Sequence, residues 1–296
     1  MSISSLNFTT YDCFTDSIFG GNIGVIVWNS NNLNNDSMQK IAKEFNAPVT
    51  SFIIKKNDNE FTAKFFMPSS EISMCGHLVI GIFSHVSKNQ NIKFKEYILN
   101  TNSETVKIIV EKEFNSLSTV MYNSKIAEEE ILDIDEDFLL NALNINKKNI
   151  SQSSKISVFN SGLKHALIRL EKHDILKNLS PDYKNLYTFC EKYNLDTVAC
   201  FTQSSKNLKN FFTRDFCPLL GKNEVAASGT TNAAITSYLF KNQIIKHSSQ
   251  RIIFNQGDEI GRSSKIISDI IIKNGELINL KIGGSAVLNY FGNINI

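Results

Sequence analysis

The chain has little of what marks several protein classes. It has 296 residues, of which only 4 are proline and 14 glycine, so a collagen-like or other low-complexity fibre is excluded. Its 31 basic and 29 acidic residues give a formal net charge of +2. No run of Lys or Arg interleaves with aromatic residues, so no nucleic-acid partner is expected. The hydrophobic fraction of 42% provides enough apolar mass for a buried core and excludes intrinsic disorder.

Cysteine and long apolar runs are also scarce. The longest apolar run, residues 78–83, is far shorter than the roughly 20 residues that cross a bilayer. The N-terminus has no basic stretch followed by an apolar core, so we expect no signal peptide and no membrane partner. The five cysteines form no CxxC pair and no zinc spacing: Cys13, Cys75, Cys190, Cys200 and Cys217. Reduced thiols in a cytoplasmic protein are the expectation, with no metal site.

Short β-branched or alternating runs dominate the chain. They predict strands at residues 24–28, 50–54, 61–66, 106–110, 164–170, 197–202, 251–254, 266–272 and 277–282. Helical periodicity predicts helices at residues 35–45, 78–88, 135–143, 183–193 and 231–242. Strands and helices do not alternate regularly, and no GxGxxG or phosphate-binding loop is present. The pattern predicts an α+β fold.

Two segments about half a chain apart share one pattern. Residues 65–68 (FFMP) lead to residues 75–77 (CGH) and an apolar helix, and residues 214–218 (RDFCP) lead to residues 228–230 (SGT) and another. Helices that are apolar on most faces are buried. The repeat therefore predicts two similar halves, each with strands wrapped around one central helix.

Each predicted central helix begins at a glycine-containing turn. The first N–H groups of a helix have no partner within it and lie at the positive end of the helix dipole. They can hold a carboxylate or a developing enolate. The alternative is that Gly76 and Gly229 only permit a tight turn, and both interpretations stay open.

Six motifs occur in a fixed order along nearly the whole chain: residues 12–22 (DCFT…FGGN), 38–46, 66–77, 212–229, 256–263 and 283–287 (GGSAV). In this order they resemble the motifs of the phenazine-biosynthesis PhzF-like family, which shares its fold with diaminopimelate epimerase and proline racemase. The resemblance implies an α+β fold of two pseudo-symmetric domains, each a β-barrel-like mixed sheet around a central helix. The expected domains are residues 1–118 with 282–296, and residues 119–281.

The same resemblance implies a function. Members of the family and its relatives are isomerases, epimerases and racemases that move a proton on carbon without a cofactor. The expected protein is a cytoplasmic, homodimeric biosynthetic enzyme that acts on a small amino-acid-like substrate in the cleft between its domains.

The chain departs from the family at both usual carboxylates. Val49 stands at the glutamate of N-x-x-E, and Val225 stands at the aspartate of E-D-P-A-T-G. The racemase branch uses two cysteines instead, of which Cys75 matches the first while Ala226 occupies the position of the second. Proton-transfer catalysis depends on positioned titratable groups, so an altered acid/base set is implied.

The expected catalytic residues are His77 and Cys75, each with a structural alternative, since His77 could pin the turn and Cys75 could only pack. The expected substrate-binding residues lie in the matched motifs: Asn22, Gly76, Arg214, Ser228, Gly229 and Thr230. The remaining histidines are predicted to be structural or exposed: His85, His165, His173 and His247.

Three functional hypotheses follow. The first is a PhzF-like isomerase or epimerase with an altered acid/base set. The second is a thiol-based racemase that uses Cys75 and one unidentified partner. The third is a catalytically silent member that binds a small ligand or a protein partner.

Overall fold

The computed structural model describes residues 5–88, 90, 92–112, 116–152, 154–245 and 248–296. Contacts divide the chain into two compact units, unit 1 (Met1–Asn123 with Gly283–Ile296) and unit 2 (Ser124–Ile282). The predicted domains, residues 1–118 with 282–296 and residues 119–281, stay a prediction. Among the described residues, no helix combines the length and the apolar character that a membrane span needs.

The described residues form strands and α-helices in both units. The strands are β1 Ser5–Cys13, β2 Asn22–Trp28, β3 Thr50–Lys55, β4 Glu60–Phe66, β5 Glu71–Ile72, β6 Phe94–Asn100, β7 Thr105–Glu111, β8 Thr119–Ser124, β9 Glu128–Glu130, β10 Ser157–Asn160, β11 Lys164–Arg169, β12 Thr197–Gln203, β13 Asn210–Cys217, β14 Lys222–Val225, β15 Gln250–Gln256, β16 Ser264–Lys273, β17 Glu276–Gly284 and β18 Ala286–Asn295. The helices are α1 Asn35–Phe45, α2 Gly76–Ser87, α3 Glu136–Ala142, α4 His173–Lys177, α5 Tyr183–Tyr193 and α6 Gly229–Lys241. Short 3₁₀ helices lie at Lys147–Asn149, Pro218–Leu220 and Asp258–Ile260.

The two units contain the same order of strand pairings. In unit 1, β1 pairs antiparallel with β2, β2 parallel with β3, β3 antiparallel with β4, β4 antiparallel with β5 and parallel with β6, and β6 antiparallel with β7. In unit 2, strands β10 to β16 repeat that series step by step. The repeat seen in the sequence is therefore a repeat of sheet topology.

The registers also match. Thr50 lies opposite Phe66 between β3 and β4, and Val198 lies opposite Phe216 between β12 and β13. The positions that correspond, named first in unit 1 and then in unit 2, are Val25 and Ala166, Thr50 and Val198, and Phe66 and Phe216. A residue in one unit can therefore be compared with its counterpart in the other.

A buried helix lies at the centre of each unit. Helix α2 contacts β1, β2, β7 and β18, and helix α6 contacts β9, β10, β11 and β16. Nearly all residues of both helices after the first turn are buried. Apolar side chains cover most faces of both helices, and the buried Asn232, Thr236 and Ser237 of α6 are hydrogen-bonded, so burial by surrounding strands is the stable arrangement.

The predicted helices at residues 35–45 and 183–193 agree with α1 and α5. Their ends follow from local chemistry: Asn34 and Asp182 accept N–H groups of the first turn, and Asn46 and Asn194 end the helices with left-handed backbone. The predicted starts of the two central helices were two residues late, because glycine at the first helical position disfavoured an earlier start. The five-residue helix α4 was missed, since it is too short for a periodic signal.

Candidate active site

In unit 1, a cysteine and a histidine meet at the start of α2. Cys75 is the residue before the helix, Gly76 is its first residue and His77 follows. The Cys75 Sγ atom lies 3.1 Å from His77 Nδ1, so thiol and imidazole are hydrogen-bonded. Cys75 is buried with 7% exposure, whereas His77 is half-buried. The pair therefore lies at the positive end of the α2 helix dipole.

Tyr122 of β8 packs directly on this turn. A Cβ atom added to Gly76 would lie 2.1 Å from the Tyr122 hydroxyl oxygen, so only glycine fits there. Burial and the adjacent Cys75 thiol raise the pKa of Tyr122, which keeps its hydroxyl protonated. Sequence reasoning missed this residue because it begins the most polar passage of the chain, which reads as solvated surface.

The other two candidate positions of unit 1 lie on its strands. Asn22 is half-buried at the start of β2, opposite Cys13 of β1. Val49 is 6% exposed, and its carbonyl accepts the backbone N–H of Val25 at 3.3 Å. Its side chain can neither donate nor accept a proton, so the position contributes only apolar surface.

In unit 2, hydroxyl groups surround the start of α6. Ser228 caps the helix, and its Oγ accepts the backbone N–H of Thr231 at 3.2 Å. Gly229 and Thr230 are the first two helical residues, and Thr230 Oγ1 lies 3.2 Å from Ser228 Oγ. All three of these predicted binding residues are half-buried. The turn therefore offers backbone N–H groups and a hydroxyl in the arrangement that suits an anion.

Arg214 of β13 is held inside unit 2. Its Nε and Nη2 donate to Glu224 at 3.0 and 2.7 Å, and its Nη1 donates to the carbonyls of Leu176 and Leu179 at 3.3 and 2.8 Å. The two charged side chains are only 7% and 2% exposed. Substrate contact by Arg214 stays a prediction, and the contacts described are those of a structural ion pair.

The two residues that the resemblance assigns to the carboxylate and second-cysteine positions, Val225 and Ala226, follow β13 in the chain. Val225 pairs with Asp215, and its carbonyl accepts from Gln256 Nε2 at 2.8 Å. Ala226 is 3% exposed, and its carbonyl accepts the Ser264 hydroxyl at 2.7 Å. Glu224 is the carboxylate next to Val225 in the sequence, but it is ion-paired with Arg214, so it does not replace the missing aspartate.

A buried polar cluster lies under the first turn of α6. Thr231 donates its hydroxyl proton to Asp215 Oδ2 at 2.6 Å, and its oxygen lies 3.4 Å from His165 Nδ1. Burial raises the pKa of Asp215 to about 6, against the lowering effect of the Thr231 hydrogen bond. Burial lowers the pKa of His165 to about 3, so its imidazole is neutral at physiological pH.

The four remaining histidines were predicted to be structural or exposed. His165 is fully buried with both ring nitrogens hydrogen-bonded, and His85 stacks on Trp28 at 4.4 Å between ring centroids. His173 is exposed and stacks on Phe212 at 3.9 Å, while His247 lies outside the described residues. No spacing in the sequence links His165 to Asp215, because β11 and β13 are brought together only by β12, which pairs with both.

Comparisons with known proteins agree over nearly the whole chain. The family model described as phenazine biosynthesis-like protein matches residues 11–292. An uncharacterised isomerase of Clostridium acetobutylicum is 28% identical, with 97% of each chain covered. The trans-2,3-dihydro-3-hydroxyanthranilate isomerase of Pseudomonas chlororaphis is 24% identical, with 95% of this chain and 96% of that protein covered.

Solved structures give the same fold. A Bacillus anthracis phenazine biosynthesis protein of the PhzF family matches with a TM-score of 0.86 at 18% identity, covering 99% of this chain and all of the other. A hydroxyproline epimerase from Agrobacterium vitis with bound trans-4-hydroxy-L-proline matches with a TM-score of 0.66 at 11% identity, covering 99% and 93%. The predicted α+β, epimerase-like fold class is confirmed by these neighbours. The chain belongs to the phenazine biosynthesis-like (PhzF) family.

Proposed function

We propose that the protein is a cofactor-independent isomerase that moves a proton between carbon atoms of a small amino-acid-like carboxylate. The observation that carries the proposal is the Cys75–His77 pair at the start of α2, with Sγ and Nδ1 3.1 Å apart. Family membership and the isomerase names of the relatives support the reaction class.

His77 is the proposed base. A neutral imidazole accepts a proton from a carbon next to an electron-withdrawing group, and the electron pair left behind moves to the substrate's oxygen or conjugated system. The imidazolium then returns that proton to a different carbon on the same face. A hydrogen bond to Cys75 fixes the orientation of the ring, and a thiolate there stabilises the imidazolium.

The first turn of α6 is the proposed carboxylate site. The N–H groups after Ser228 and the Thr230 hydroxyl can donate to an anion at the positive end of the helix dipole. Such donors suit the carboxylate group of an amino-acid-like substrate.

This acid/base set favours isomerisation over racemisation. A racemase needs proton donors on both faces of the carbon, and two of the family's usual groups are valines here, at Val49 and Val225. One base that takes and returns the proton on one face is sufficient for an isomerase. The thiol-based racemase remains the second candidate, because Cys75 is hydrogen-bonded to an imidazole as a nucleophilic or basic thiol would be.

The test is deuterium uptake from heavy water, followed by proton NMR. The panel contains trans-2,3-dihydro-3-hydroxyanthranilate, trans-4-hydroxy-L-proline and L-proline. We expect exchange at carbon with the first compound, and a loss of about 100-fold or more in His77→Ala, the usual scale for a general acid/base. Cys75→Ser should cost far less if the thiol only orients the ring, and as much as His77→Ala if it is a racemase thiol.

No exchange with any compound would favour the catalytically silent alternative. Val49→Glu with Val225→Asp then provides a second measurement, because it restores both family carboxylates. Exchange gained by that double variant would show that the two valines alone silence the protein. Unchanged activity with a lower melting temperature in His77→Ala would assign that residue to the structure of the turn.

A homodimer in the cytoplasm with a biosynthetic role is the assembly and setting that the family resemblance supports. Sedimentation equilibrium at micromolar protein tests the first of these directly. A monomer mass of 33.3 kDa across the concentration range would contradict the dimer.

A further inference from the structure

The residues near the first turns of the two central helices differ in polarity between the units. The matched registers place four polar residues of unit 2, His165, Thr197, Asp215 and Thr231, where unit 1 has Gly24, Val49, Phe65 and Leu78. In unit 1 the Leu78 side chain rests on Gly24, so closely that an added Cβ would lie 2.4 Å from Leu78 Cδ2. Burying a carboxyl and an imidazole, as unit 2 does, costs free energy unless both groups are hydrogen-bonded.

His165 is fully satisfied in this cluster. Its Nε2 lies 3.0 Å from Ser161 Oγ, whose own proton goes to the carbonyl of Thr230 at 3.0 Å. The ring therefore donates through Nε2 and accepts the Thr197 hydroxyl at Nδ1, at 2.8 Å. The neutral His165 ring, hydrogen-bonded at both nitrogens, therefore has a structural role: through Ser161 it connects β11 to the first turn of α6.

Asp215 is different, because it is only half satisfied. It is 1% exposed, its Oδ2 accepts the Thr231 hydroxyl, and its Oδ1 has no hydrogen-bond partner among the described residues. The hydroxyls of Thr197 and Ser228 lie close enough to lower the pKa of the carboxyl. A buried carboxyl oxygen without a partner is costly, and in native proteins it calls for an explanation.

A chain of hydroxyl groups connects Asp215 to the start of α6. Thr231 Oγ1 is 2.6 Å from Asp215 Oδ2 and 2.8 Å from Ser228 Oγ, which is 3.2 Å from Thr230 Oγ1. Each hydroxyl has one proton, so the donors must all point the same way along the chain. With Asp215 ionised, Thr230 donates to Ser228, Ser228 to Thr231, and Thr231 to the carboxylate.

Protonation of Asp215 reverses that order. The carboxylic acid donates to Thr231, Thr231 to Ser228 and Ser228 to Thr230, so the Thr230 hydroxyl proton becomes available to a ligand outside the chain. The hydroxyls keep their own protons and only rotate. The net change is one proton taken from solvent onto Oδ2, with no electron transferred.

We propose that Asp215 is a positioning residue for carboxylate binding at the start of α6, because it takes up one proton when Thr230 turns its hydroxyl to the ligand. The proposal rests on the proposed function, which assigns the substrate carboxylate to that turn. It explains why unit 2 keeps a buried carboxyl at a position that is phenylalanine in unit 1.

None of the other titratable groups described near Asp215 is available to take up this proton. Neutral His165 of β11 and Asp215 both contact the Thr231 hydroxyl, and Glu224 of β14 is paired with Arg214 of β13. Three thiols also lie near it, those of Cys190 on α5, Cys200 on β12 and Cys217 on β13, and burial raises the pKa of all three. None of these thiols ionises at neutral pH.

The experiment is isothermal titration calorimetry of anthranilate, a stable amino-carboxylate, at pH 7 in buffers of different ionisation enthalpy. The dependence of the observed heat on buffer ionisation gives the number of protons taken up. We expect about 0.3 to 1 proton per anthranilate bound by the wild type, and nearly none in Asp215→Asn. Thr231→Val, which breaks the chain but keeps Asp215, should also abolish uptake, whereas Thr231→Ser should preserve it.

Asp269→Asn is the matched control, since it makes the same substitution at a half-buried carboxylate of β16 paired with Arg251. Proton uptake that persists in both Asp215→Asn and Thr231→Val would overturn the proposal. If the wild type binds no anthranilate, the carboxylate site of the proposed function is wrong. The coupling between Asp215 and Thr230 is then tested in the ligand-free protein. There the Thr230 amide resonance should titrate near pH 6 in the wild type and not in Asp215→Asn; no titration would also overturn it.

Discussion

Arg214→Met should destabilise the protein strongly, because it leaves Glu224 buried without its partner. The Glu224 side chain is 2% exposed and receives two hydrogen bonds from Arg214, at 3.0 and 2.7 Å. Removing one member of a buried ion pair costs about 3 to 5 kcal/mol. The carbonyls of Leu176 and Leu179 also lose their guanidinium donor.

The protein can limit this cost by protonating the stranded carboxylate. Keeping an ordinary glutamate protonated at pH 7 costs about 1.4 kcal/mol for each of roughly 2.7 pH units, or about 3.7 kcal/mol. Adding part of the cost of the Leu179 carbonyl, which loses its donor, gives an expected loss of about 4 to 5 kcal/mol in the free energy of unfolding. The Leu176 carbonyl still accepts the Leu179 N–H at 3.3 Å. The loss should shrink as the pH is lowered, because protonation then becomes easier.

Urea denaturation followed by far-ultraviolet circular dichroism measures this loss. The control is Arg214→Met with Glu224→Leu, which removes both charges and should recover at least half of the lost stability. A single variant within about 1 kcal/mol of the wild type, or a double variant no more stable than the single one, would refute the ion-pair argument. Wild-type stability together with lost anthranilate affinity would return Arg214 to its predicted role in substrate binding.

Other predictions follow from the buried groups. The raised pKa of Asp215 (about 6) adds stability below pH 4 that is lost as the pH rises through 6, and the lowered pKa of His165 (about 3) adds stability above pH 6.5 that is lost as the pH falls towards 3. Between pH 4 and 6 the two groups change the free energy of unfolding with pH in opposite directions. Asp215→Asn should therefore lose stability on acidification more steeply than the wild type, by up to about 1.4 kcal/mol per pH unit in urea titrations. An unchanged dependence on pH would contradict this. Gly76→Ala should cost about 2 kcal/mol through the clash with the Tyr122 hydroxyl, and Tyr122→Phe should recover part of that loss in thermal unfolding. Iodoacetamide should label Cys75 first in the native protein, since the other four thiols are at most 1% exposed; mass spectrometry that finds another site labelled earlier would refute this.

Much of the fold could be predicted because its signals are local. The apolar helices that became α2 and α6 are hydrophobic on most faces, and that property is visible in any window of the sequence. Both helices begin at turns of the type Gly-x after a small residue, and the strands around them are short and β-branched. These patterns depend only on neighbours in the chain, so the sequence predicted both central elements and their repeat.

In the candidate site, too, contacts between sequence neighbours could be predicted and contacts between distant residues could not. Cys75 and His77 are two residues apart, so their pairing at 3.1 Å lies within reach of a local argument. Tyr122 reaches Gly76 across 46 positions of sequence, and nothing in its own polar surroundings indicated that contact. Arg214, predicted at the substrate, has its donors engaged by Glu224 and two carbonyls that no sequence pattern announced.

The sequence by itself determined which segments are apolar, where helices can begin, and which motifs the chain shares with its family, because these are properties of neighbouring residues. Only the tertiary structure decided which side chains meet across strands. His165, Asp215 and Thr231 are separated by 50 and 16 positions, and the sheet of unit 2 brings them into one buried cluster. Whether a polar residue is exposed or buried beside another depends on the packing of the whole unit, and a pattern of neighbouring residues does not contain that information.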